Sequence, residues 1–312
     1  MKLSLKPVKD ISLKDPLSIK SMVNEMINCG GFVARHFAEG VNILTSMIQD
    51  RFCVKFLSFP AAIVATGVRG VLKEIVKRKM VDIIITTSGS LDHDLARSWG
   101  DYYEGSWDLD DTKLFRKGFH RLGNILIPRD NYGLLLEKKL QPFFEELYNK
   151  GIKEISSIEL CELLGSYVNN DSSILYWAYK NQIPIIIPGL MDGAVGSQIW
   201  LFTQKRDLRI NILKDEQKLA DIIFSAKKSG ALIIGGGISK HHTLWWNQFK
   251  GGLDYVVEIT TAIEYDGSLS GARVKEAVSW GKVKPKASKV TIYGDATVLL
   301  PFMIAAVFEY IG

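Results

Sequence analysis

Residues 276–282 (EAVSWGK) place a lysine behind a tryptophan and a glycine. An amine attacks carbon only in its neutral form, whereas a solvated lysine side chain is almost entirely protonated near neutral pH. An apolar indole beside the amine can favour the neutral form by excluding water. We therefore interpret Lys282 as a candidate nucleophile with Trp280 as its apolar wall. For this segment alone, a solvated lysine beside a core tryptophan is the simpler interpretation, and the rest of the chain decides between the two.

Two adjacent histidines, His241 and His242, follow the triple glycine at 235–237. Imidazole titrates near neutral pH, which suits a general acid or base. The pair has no third ligand at the spacing of a zinc site, so we expect no metal. A histidine packed in the core is the alternative interpretation.

Apolar, β-branched runs alternate with helical patterns along most of the chain. Runs such as VDIIIT (81–86) and IPIII (183–187) are typical of strands buried on both faces of a parallel sheet. We predict an α/β fold with a doubly wound, mostly parallel sheet of Rossmann-like type. Strands are predicted over 54–57, 81–86, 183–187, 231–234, 255–259 and 289–293. Helices are predicted over 61–79, 133–149, 157–168, 172–181, 214–228, from about 240, up to about 280, and over 296–310.

Two regions differ from this alternation. Residues 17–50 carry a helical pattern interrupted at Gly30-Gly31, after a loose lysine-rich arm, and residues 100–128 are interpreted as a long irregular insertion. We predict an N-terminal arm and helical segment over 1–50 and a catalytic α/β domain over 51–312, packed as one structural unit.

Small residues, usually with an acid, follow nearly every predicted strand. Ligands of parallel sheets bind beyond the carboxyl ends of the strands, where small residues let backbone N–H groups approach a phosphate and an acid can hold ribose hydroxyls. The segments are TTSGSLDHD (86–94), PGLMDGAVG (188–196), GGGISKHH (235–242), TTAIEYDGS (260–268) and GDAT (294–297). A glycine after one strand is often only a turn; together the five segments indicate a dinucleotide cofactor.

The composition argues against membrane proteins and disulfide scaffolds. The chain has 312 residues, of which 47% are hydrophobic, which is enough for a large core. Its 39 basic and 34 acidic residues are spread out, so the net charge of +5 carries no nucleic-acid signal. Three unpaired cysteines, no apolar stretch of membrane-spanning length and no signal-peptide core predict a cytoplasmic protein without nucleic-acid or membrane partners.

Four segments carry a resemblance to a known family: YWAYKNQIPIIIPGLMDGAVG, GGGISKHH, EYDGSLSGARVKEAVSWGK and YGDAT. From about residue 20 to the C-terminus, the chain resembles deoxyhypusine synthase of the archaeal type. The resemblance implies NAD as cofactor and active sites at the subunit interface of a homotetramer. It implies that the butylamine group of spermidine passes through an imine on an enzyme lysine to one lysine of the translation factor 5A precursor. The products are deoxyhypusine and 1,3-diaminopropane.

The resemblance also assigns roles to residues of this chain. It implies that Lys282 is the nucleophile and that His241 acts near the secondary amine of the donor. The implied cofactor-binding residues are Ala61, Ala62, Ile63, Val64, Ala65, Thr87, Ser88, Gly89, His93, Asp192, Gly236, Thr261, Ala262, Asp295 and Ala296. The implied substrate-binding residues are Asp92, His93, Ser197, His241, Gly267, Ser268, Leu269, Glu276 and Trp280.

The chain departs from the eukaryotic family pattern at several positions. Ser197 and Leu269 stand where acids are expected to hold the ammonium groups of a polyamine, and His93 replaces a glutamate. The acids that could compensate are Asp92, Asp94, Glu258 and Asp266. One alternative is therefore a related aminobutyl transferase that uses another donor or acceptor, such as a homospermidine-forming or agmatine-using enzyme. Another is a catalytically silent NAD-binding subunit, against which the retained Lys282 argues.

Overall fold

The computed structural model describes residues 6–13 and 17–312, so part of the predicted N-terminal arm lies outside the described residues. The helices are α1 (Ile19–Asn28), α2 (Phe32–Gln49), α3 (Arg69–Lys77), α4 (Ser88–Trp99), α5 (Asp111–Arg116), α6 (Gly133–Asn149), α7 (Ser157–Val168), α8 (Ile174–Asn181), α9 (Ala194–Thr203), α10 (Ile212–Ser225), α11 (Gly237–Asn247) and α12 (Ala296–Ile311). The strands are β1 (Cys53–Phe59), β2 (Ile83–Thr86), β3 (Tyr103–Glu104), β4 (Phe119–Leu122), β5 (Ile125–Pro128), β6 (Glu154–Ile155), β7 (Ile185–Ile186), β8 (Arg209–Ile210), β9 (Lys228–Ile234), β10 (Leu253–Thr260) and β11 (Val283–Tyr293).

Six of these strands form the central sheet, in the order β11-β10-β9-β1-β2-β7. Strand β10 pairs in parallel with β9 and β11, with Ile259 opposite Ile234 and Ile292, and β2 pairs in parallel with β7. Strand β2 is fully buried from Ile83 to Ile85, which explains why its sequence is continuously apolar. The predicted α/β fold with a mostly parallel sheet is confirmed.

The chain divides into two compact units, one made of Met1–Leu57 and Ile223–Gly312 and the other of Ser58–Ile222. The predicted boundary after residue 50 does not coincide with this division. In the first unit, α2 buries Val41, Leu44 and Met47. A Cβ on Gly40 of this helix would lie 2.6 Å from Ile292 Cδ1 of β11. The N-terminal helical segment therefore packs tightly on the sheet of its own unit.

In the second unit, the predicted helix over 61–79 is divided. Residues Ala61–Ala65 form a 3₁₀ helix, and α3 starts four residues after its end, at Arg69. At the break, Val68 N–H donates to Thr66 Oγ1 at 3.1 Å instead of to a carbonyl one helical turn back. The Arg97 guanidinium also donates to the carbonyls of Val64 (2.9 Å) and Thr66 (2.6 Å), which holds the turn between the two helices.

The insertion at 100–128 is more regular than predicted. It contains α5 and an antiparallel sheet with the strand order β3-β5-β4. Strands of two to four residues are too short to show a clear alternation of apolar and polar residues.

The helix predicted to end near Trp280 is wrong. Only two 3₁₀ turns, Glu264–Asp266 and Glu276–Val278, form between β10 and β11. Gly267 and Gly281 both have φ near +68°, a left-handed conformation that interrupts a helix. Among the described residues, no helix is long and apolar enough to cross a membrane.

Candidate active site

In the first unit, an aromatic ring brings the predicted nucleophile and the predicted base together. The Lys282 ammonium lies 5.5 Å from the centre of the Trp245 ring. The ring of His241 stacks on the same indole, with 5.7 Å between centroids and 23° between planes. His241 and Trp245 are four residues apart on α11 and therefore share one face. That spacing is the only local signal in the sequence for a role of Trp245 beyond packing.

Trp280 flanks the same ammonium but does not enclose it within a single chain. Its ring centre lies 5.1 Å from Lys282 Nζ, and its side chain is 64% exposed. The sequence had suggested that Trp280 excludes water from Lys282. Within one chain it cannot do so, because most of its side chain is exposed. The two indole faces instead attract the cation.

His241 is poised to accept a proton. Loss of water around the ring lowers the pKa of His241, and the nearby charge of Lys282 lowers it further. A neutral imidazole therefore prevails near neutral pH. The neighbouring His242 instead faces Trp246, with 6.4 Å between the ring centroids.

The triple glycine builds the turn from β9 into α11. Gly235 and Gly237 have φ of +66° and +69°, which only glycine adopts readily. A Cβ on Gly236 would lie 2.3 Å from Ser270 Oγ, so this glycine lets the loop after β10 pack against the turn.

The carboxyl ends of β9, β10 and β11 gather the predicted cofactor residues of the first unit. Gly235 N–H donates to Ile259 O (2.7 Å), and Gly294 N–H donates to Thr260 O (2.9 Å), which ties the neighbouring strand ends together. Thr261 is exposed after β10, followed by half-buried Ala262. Asp295 is exposed before α12, where its Oδ1 accepts from Thr297 N–H at 2.7 Å, and half-buried Ala296 begins the helix.

Apart from His241 on α11, the predicted substrate residues of this unit lie in the loop 261–282. Gly267, Ser268 and Glu276 are exposed, and Leu269 is half-buried. Lys240, which the sequence analysis did not single out, forms a buried ion pair with Glu258 and also donates to backbone carbonyls of this loop. Burial raises the pKa of Glu258, although the Lys240 charge opposes the effect. A lysine inside a glycine-rich motif gives no signal of its partner, which lies 18 residues away.

In the second unit, the predicted cofactor segment at 61–65 packs against the start of α4. Ile63, Val64 and Ala65 are buried. A Cβ on Gly89 would lie 2.8 Å from the Ala61 Cβ, so the glycine permits this close approach. Half-buried Thr87 precedes the helix, and Ser88 Oγ donates to Leu190 O at 2.7 Å.

Asp92 holds the loop that carries Asp192. Its buried carboxylate accepts from the N–H groups of Ala194 and Val195, both at 2.8 Å, and from Tyr132 Oη at 3.0 Å. A Cβ on Gly193 would lie 2.8 Å from Asp92 Oδ2. Burial raises the pKa of Asp92, and its hydrogen bonds oppose that shift. Asp92 thus caps α9, a contact that the sequence analysis did not predict.

His93 lies between two tyrosines, one at the start of the insertion and one just after it. Its Nδ1 is 2.9 Å from Tyr102 Oη, and its ring lies 5.5 Å from that of Tyr132. Burial, with a smaller contribution from the charge of Arg97, lowers the pKa of His93 to about 4. Asp192, just before α9, and Ser197, in the first turn of that helix, are both exposed. Ser197 Oγ donates to Gly193 O at 3.1 Å.

Each unit therefore assembles its own part of the predicted site. The first carries the Lys282, Trp245 and His241 cluster with three strand ends, and the second carries the segment 61–65, the start of α4 and the loop before α9. A family model described as deoxyhypusine synthase matches residues 21–307.

The chain belongs to the deoxyhypusine synthase family.

Its relatives in that family match nearly full length. A protein named "Probable deoxyhypusine synthase" from Picrophilus torridus is 55% identical over 300 residues, which is 96% of each chain. One of the same name from Thermoplasma volcanium is 52% identical over 302 residues, again 96% of each chain. A crystal structure from Entamoeba histolytica, assigned as a deoxyhypusine synthase, covers 97% of both chains with a TM-score of 0.70 and 20% identity. At that identity the match supports the fold alone.

Membership confirms the family resemblance and the predicted enzyme class, a transferase. Enzymes of the deoxyhypusine synthase family transfer an aminobutyl group to translation factor 5A. The predicted transferase class therefore takes precedence over the alternative of a catalytically silent subunit.

Most of the acids expected to compensate for the missing family carboxylates are engaged within the chain. Asp92 caps α9, and Glu258 is paired with Lys240. Asp94 accepts from Arg69 Nε at 2.7 Å and from Ser173 Oγ at 2.7 Å. Asp266 is exposed, and its Oδ1 accepts from Ser268 N–H at 2.7 Å.

Proposed function

We propose that this enzyme transfers the aminobutyl group of spermidine to one lysine of the translation factor 5A precursor, with NAD as cofactor and Lys282 as covalent carrier. The observation that supports this proposal best is the cluster of Lys282, Trp245 and His241 in a member of the deoxyhypusine synthase family. The cluster combines an amine nucleophile with a neutral base, which is what transfer through an imine requires.

The strand ends of the first unit fit a dinucleotide. Helices α11 and α12 begin directly after β9 and β11, so N–H groups at helix N-termini are available for a pyrophosphate. One oxygen of Asp295 caps α12, and the other makes no hydrogen bond within the described chain, which leaves it available for a ribose hydroxyl. When bound, NAD would accept a hydride from the carbon beside the secondary amine of spermidine and later return it.

Residues of the chain would accept the released proton and carry the aminobutyl group. His241, neutral because its pKa is lowered, would take the proton that the oxidised amine releases. Neutral Lys282 would attack the imine carbon and displace 1,3-diaminopropane, leaving an imine on the lysine. The acceptor lysine would then attack that carbon and release Lys282, which completes the transfer before the final reduction.

A related transferase with another amine donor is the second candidate. It is favoured by Ser197 and Leu269, which supply no carboxylate, and by the engagement of Asp92, Asp94 and Glu258 within the chain. Exposed Glu276 would then be the acid beside the nucleophile that meets the donor.

One experiment separates the candidates. The protein would be incubated with NAD, the factor precursor and spermidine labelled in its butylamine part, beside parallel reactions with agmatine, homospermidine and putrescine. Label on a single lysine of the factor, from spermidine alone, supports the proposal. Label only from another amine favours the second candidate, and no label from any donor contradicts both.

A further inference from the structure

Lys240 is a second lysine beside the predicted catalytic residues, and it is almost completely buried. It precedes His241 on α11 and is 1% exposed. Its ammonium contacts the Glu258 carboxylate and donates to the carbonyls of Leu269 (2.8 Å) and Ala272 (2.6 Å). An ammonium has three N–H groups, and here all three have acceptors. Lys240 therefore has no donor left for a substrate.

Glu258 is held from its other side. Its Oε2 accepts from the Thr291 hydroxyl at 2.9 Å. The same Thr291 oxygen accepts from Val274 N–H at 3.2 Å. One buried network thus joins α11, β10 and β11 to the backbone of residues 269–274, contacting that segment at both ends.

Residues 269–274 connect the two halves of the predicted substrate loop. Ser268 lies just before the segment, and Glu276 lies just after it on the way to Lys282. The segment forms no regular helix. Apart from the network, its carbonyl at Ser270 accepts from Thr260 Oγ1 at 2.9 Å. Within the loop, Gly271 N–H and Ala272 N–H donate to Ser268 O. Side chains of the sheet and of α11 hold the resulting turn against the rest of the unit.

A buried ion pair is poorly explained by stability alone, because an apolar pair of similar volume is often at least as stable. We propose that Lys240 and Glu258 are a positioning pair, which sets the backbone of 269–274 and so places the substrate loop and the run 276–282 for transfer. The catalytic part of this inference rests on the proposed function. The part that concerns the loop rests only on the contacts above.

The test uses a double variant, because Lys240→Met alone would leave the Glu258 charge buried without its partner. Lys240→Met with Glu258→Gln removes both charges and keeps an acceptor for Thr291. The matched control is Lys228→Met. Lys228 begins β9 in the same unit, and the substitution breaks its ion pair with Asp50. Two quantities are measured: amide hydrogen exchange of peptides covering 269–274, and the rate at which borohydride traps a donor-derived adduct on Lys282 in the presence of NAD and spermidine.

We expect exchange in 269–274 to be about tenfold faster or more in the double variant, since hydrogen bonds to a charged group are lost. We expect adduct formation to be roughly a hundredfold slower, which is the rate loss expected when a reacting group is misplaced. The control should match the wild type in both. Unchanged exchange would overturn the positioning of the loop. Faster exchange with an unchanged adduct rate would overturn its link to transfer. A wild type that forms no adduct would refute the proposed function, while exchange would still decide on the loop.

Discussion

At the scale of single residues, the contacts of Lys282 define what the nucleophile needs. Two indole faces lie 5.1 Å and 5.5 Å from its ammonium, an arrangement that favours a cation. Attack on the imine carbon needs the neutral amine. His241 is the group in contact with the same indole that can take a proton.

Lys282→Arg tests the nucleophile directly. Guanidinium stays protonated and cannot attack carbon, while its stem and charge should preserve the contacts with both indoles. We expect the variant to fold and to bind NAD, but transfer should fall by about 10³-fold or more, as when an enzyme loses its nucleophile. Peptide mapping after borohydride trapping should find the adduct on Lys282 of the wild type only. Near-normal transfer by the variant, or an adduct on another lysine, would contradict the mechanism.

His93 should make stability depend on pH in a defined window. Its folded pKa is lowered to about 4, whereas an unfolded histidine titrates near 6.5. Between these values the unfolded state binds more protons, so stability rises with pH and is lost as pH falls. The loss attributable to His93 between pH 6.5 and 4 is up to about 3 kcal/mol.

The measurement is the free energy of unfolding in urea at a fixed protein concentration, across pH 4 to 7.5. His93→Asn should flatten the curve below pH 6.5, because it removes the titrating group. The same change at exposed His120 serves as the control and should leave the curve as in the wild type. Parallel curves for wild type and His93→Asn would show that burial of His93 does not carry this dependence.

At the scale of elements, Asp295 combines a structural and a binding role at the start of α12. Its Oδ1 caps the helix, and its second oxygen is available to NAD. Asp295→Asn should keep the cap and lose the charge, whereas Asp295→Ala should lose both. Calorimetry should show NAD binding weakened about tenfold to a hundredfold in both variants. Thermal unfolding should show only Asp295→Ala destabilised, by about 1 kcal/mol. NAD affinity unchanged in both variants would remove Asp295 from the cofactor site.

At the scale of the whole molecule, an exposed aromatic surface surrounds Lys282. Trp245, Phe249 and Trp280 are 43%, 50% and 64% exposed, and the Phe249 ring packs edge-on against that of Trp245. Clustered exposed aromatic rings are typical of protein interfaces. We therefore predict a homo-oligomer, a tetramer, in which another copy covers this surface and excludes water from the nucleophile.

Light scattering of the wild type should give a mass well above that of the 34.9 kDa chain. Phe249→Glu places a charge on the aromatic surface and should shift the population towards smaller species, with slower adduct formation on Lys282. The comparison variant is Phe115→Glu, which changes an aromatic residue of the other unit that is 70% exposed. A single species near 35 kDa for the wild type would contradict the prediction.

Features that depend on a local pattern could be predicted from the amino-acid sequence. Continuous β-branched runs identified β2 and most of the other central strands, because a strand buried on both faces needs apolar side chains throughout. The bounds of α6 and α7 agree with their prediction, since helix periodicity is local and Ser156 also caps α7. Family membership and the transferase class also followed, because the motifs that carry them are contiguous.

Tertiary structure alone decided which distant groups meet. Lys282 precedes β11, so it lies at the opposite end of that strand from Asp295. Its side chain extends to α11, where its ammonium contacts Trp245, the residue on which His241 stacks. The pairing of Lys240 with Glu258 and the capping of α9 by Asp92 likewise join residues far apart in the chain. The sequence does not show whether the carboxylate of an aspartate binds a polyamine or caps a helix. The N–H groups that the fold brings within hydrogen-bonding distance decide which of these it does.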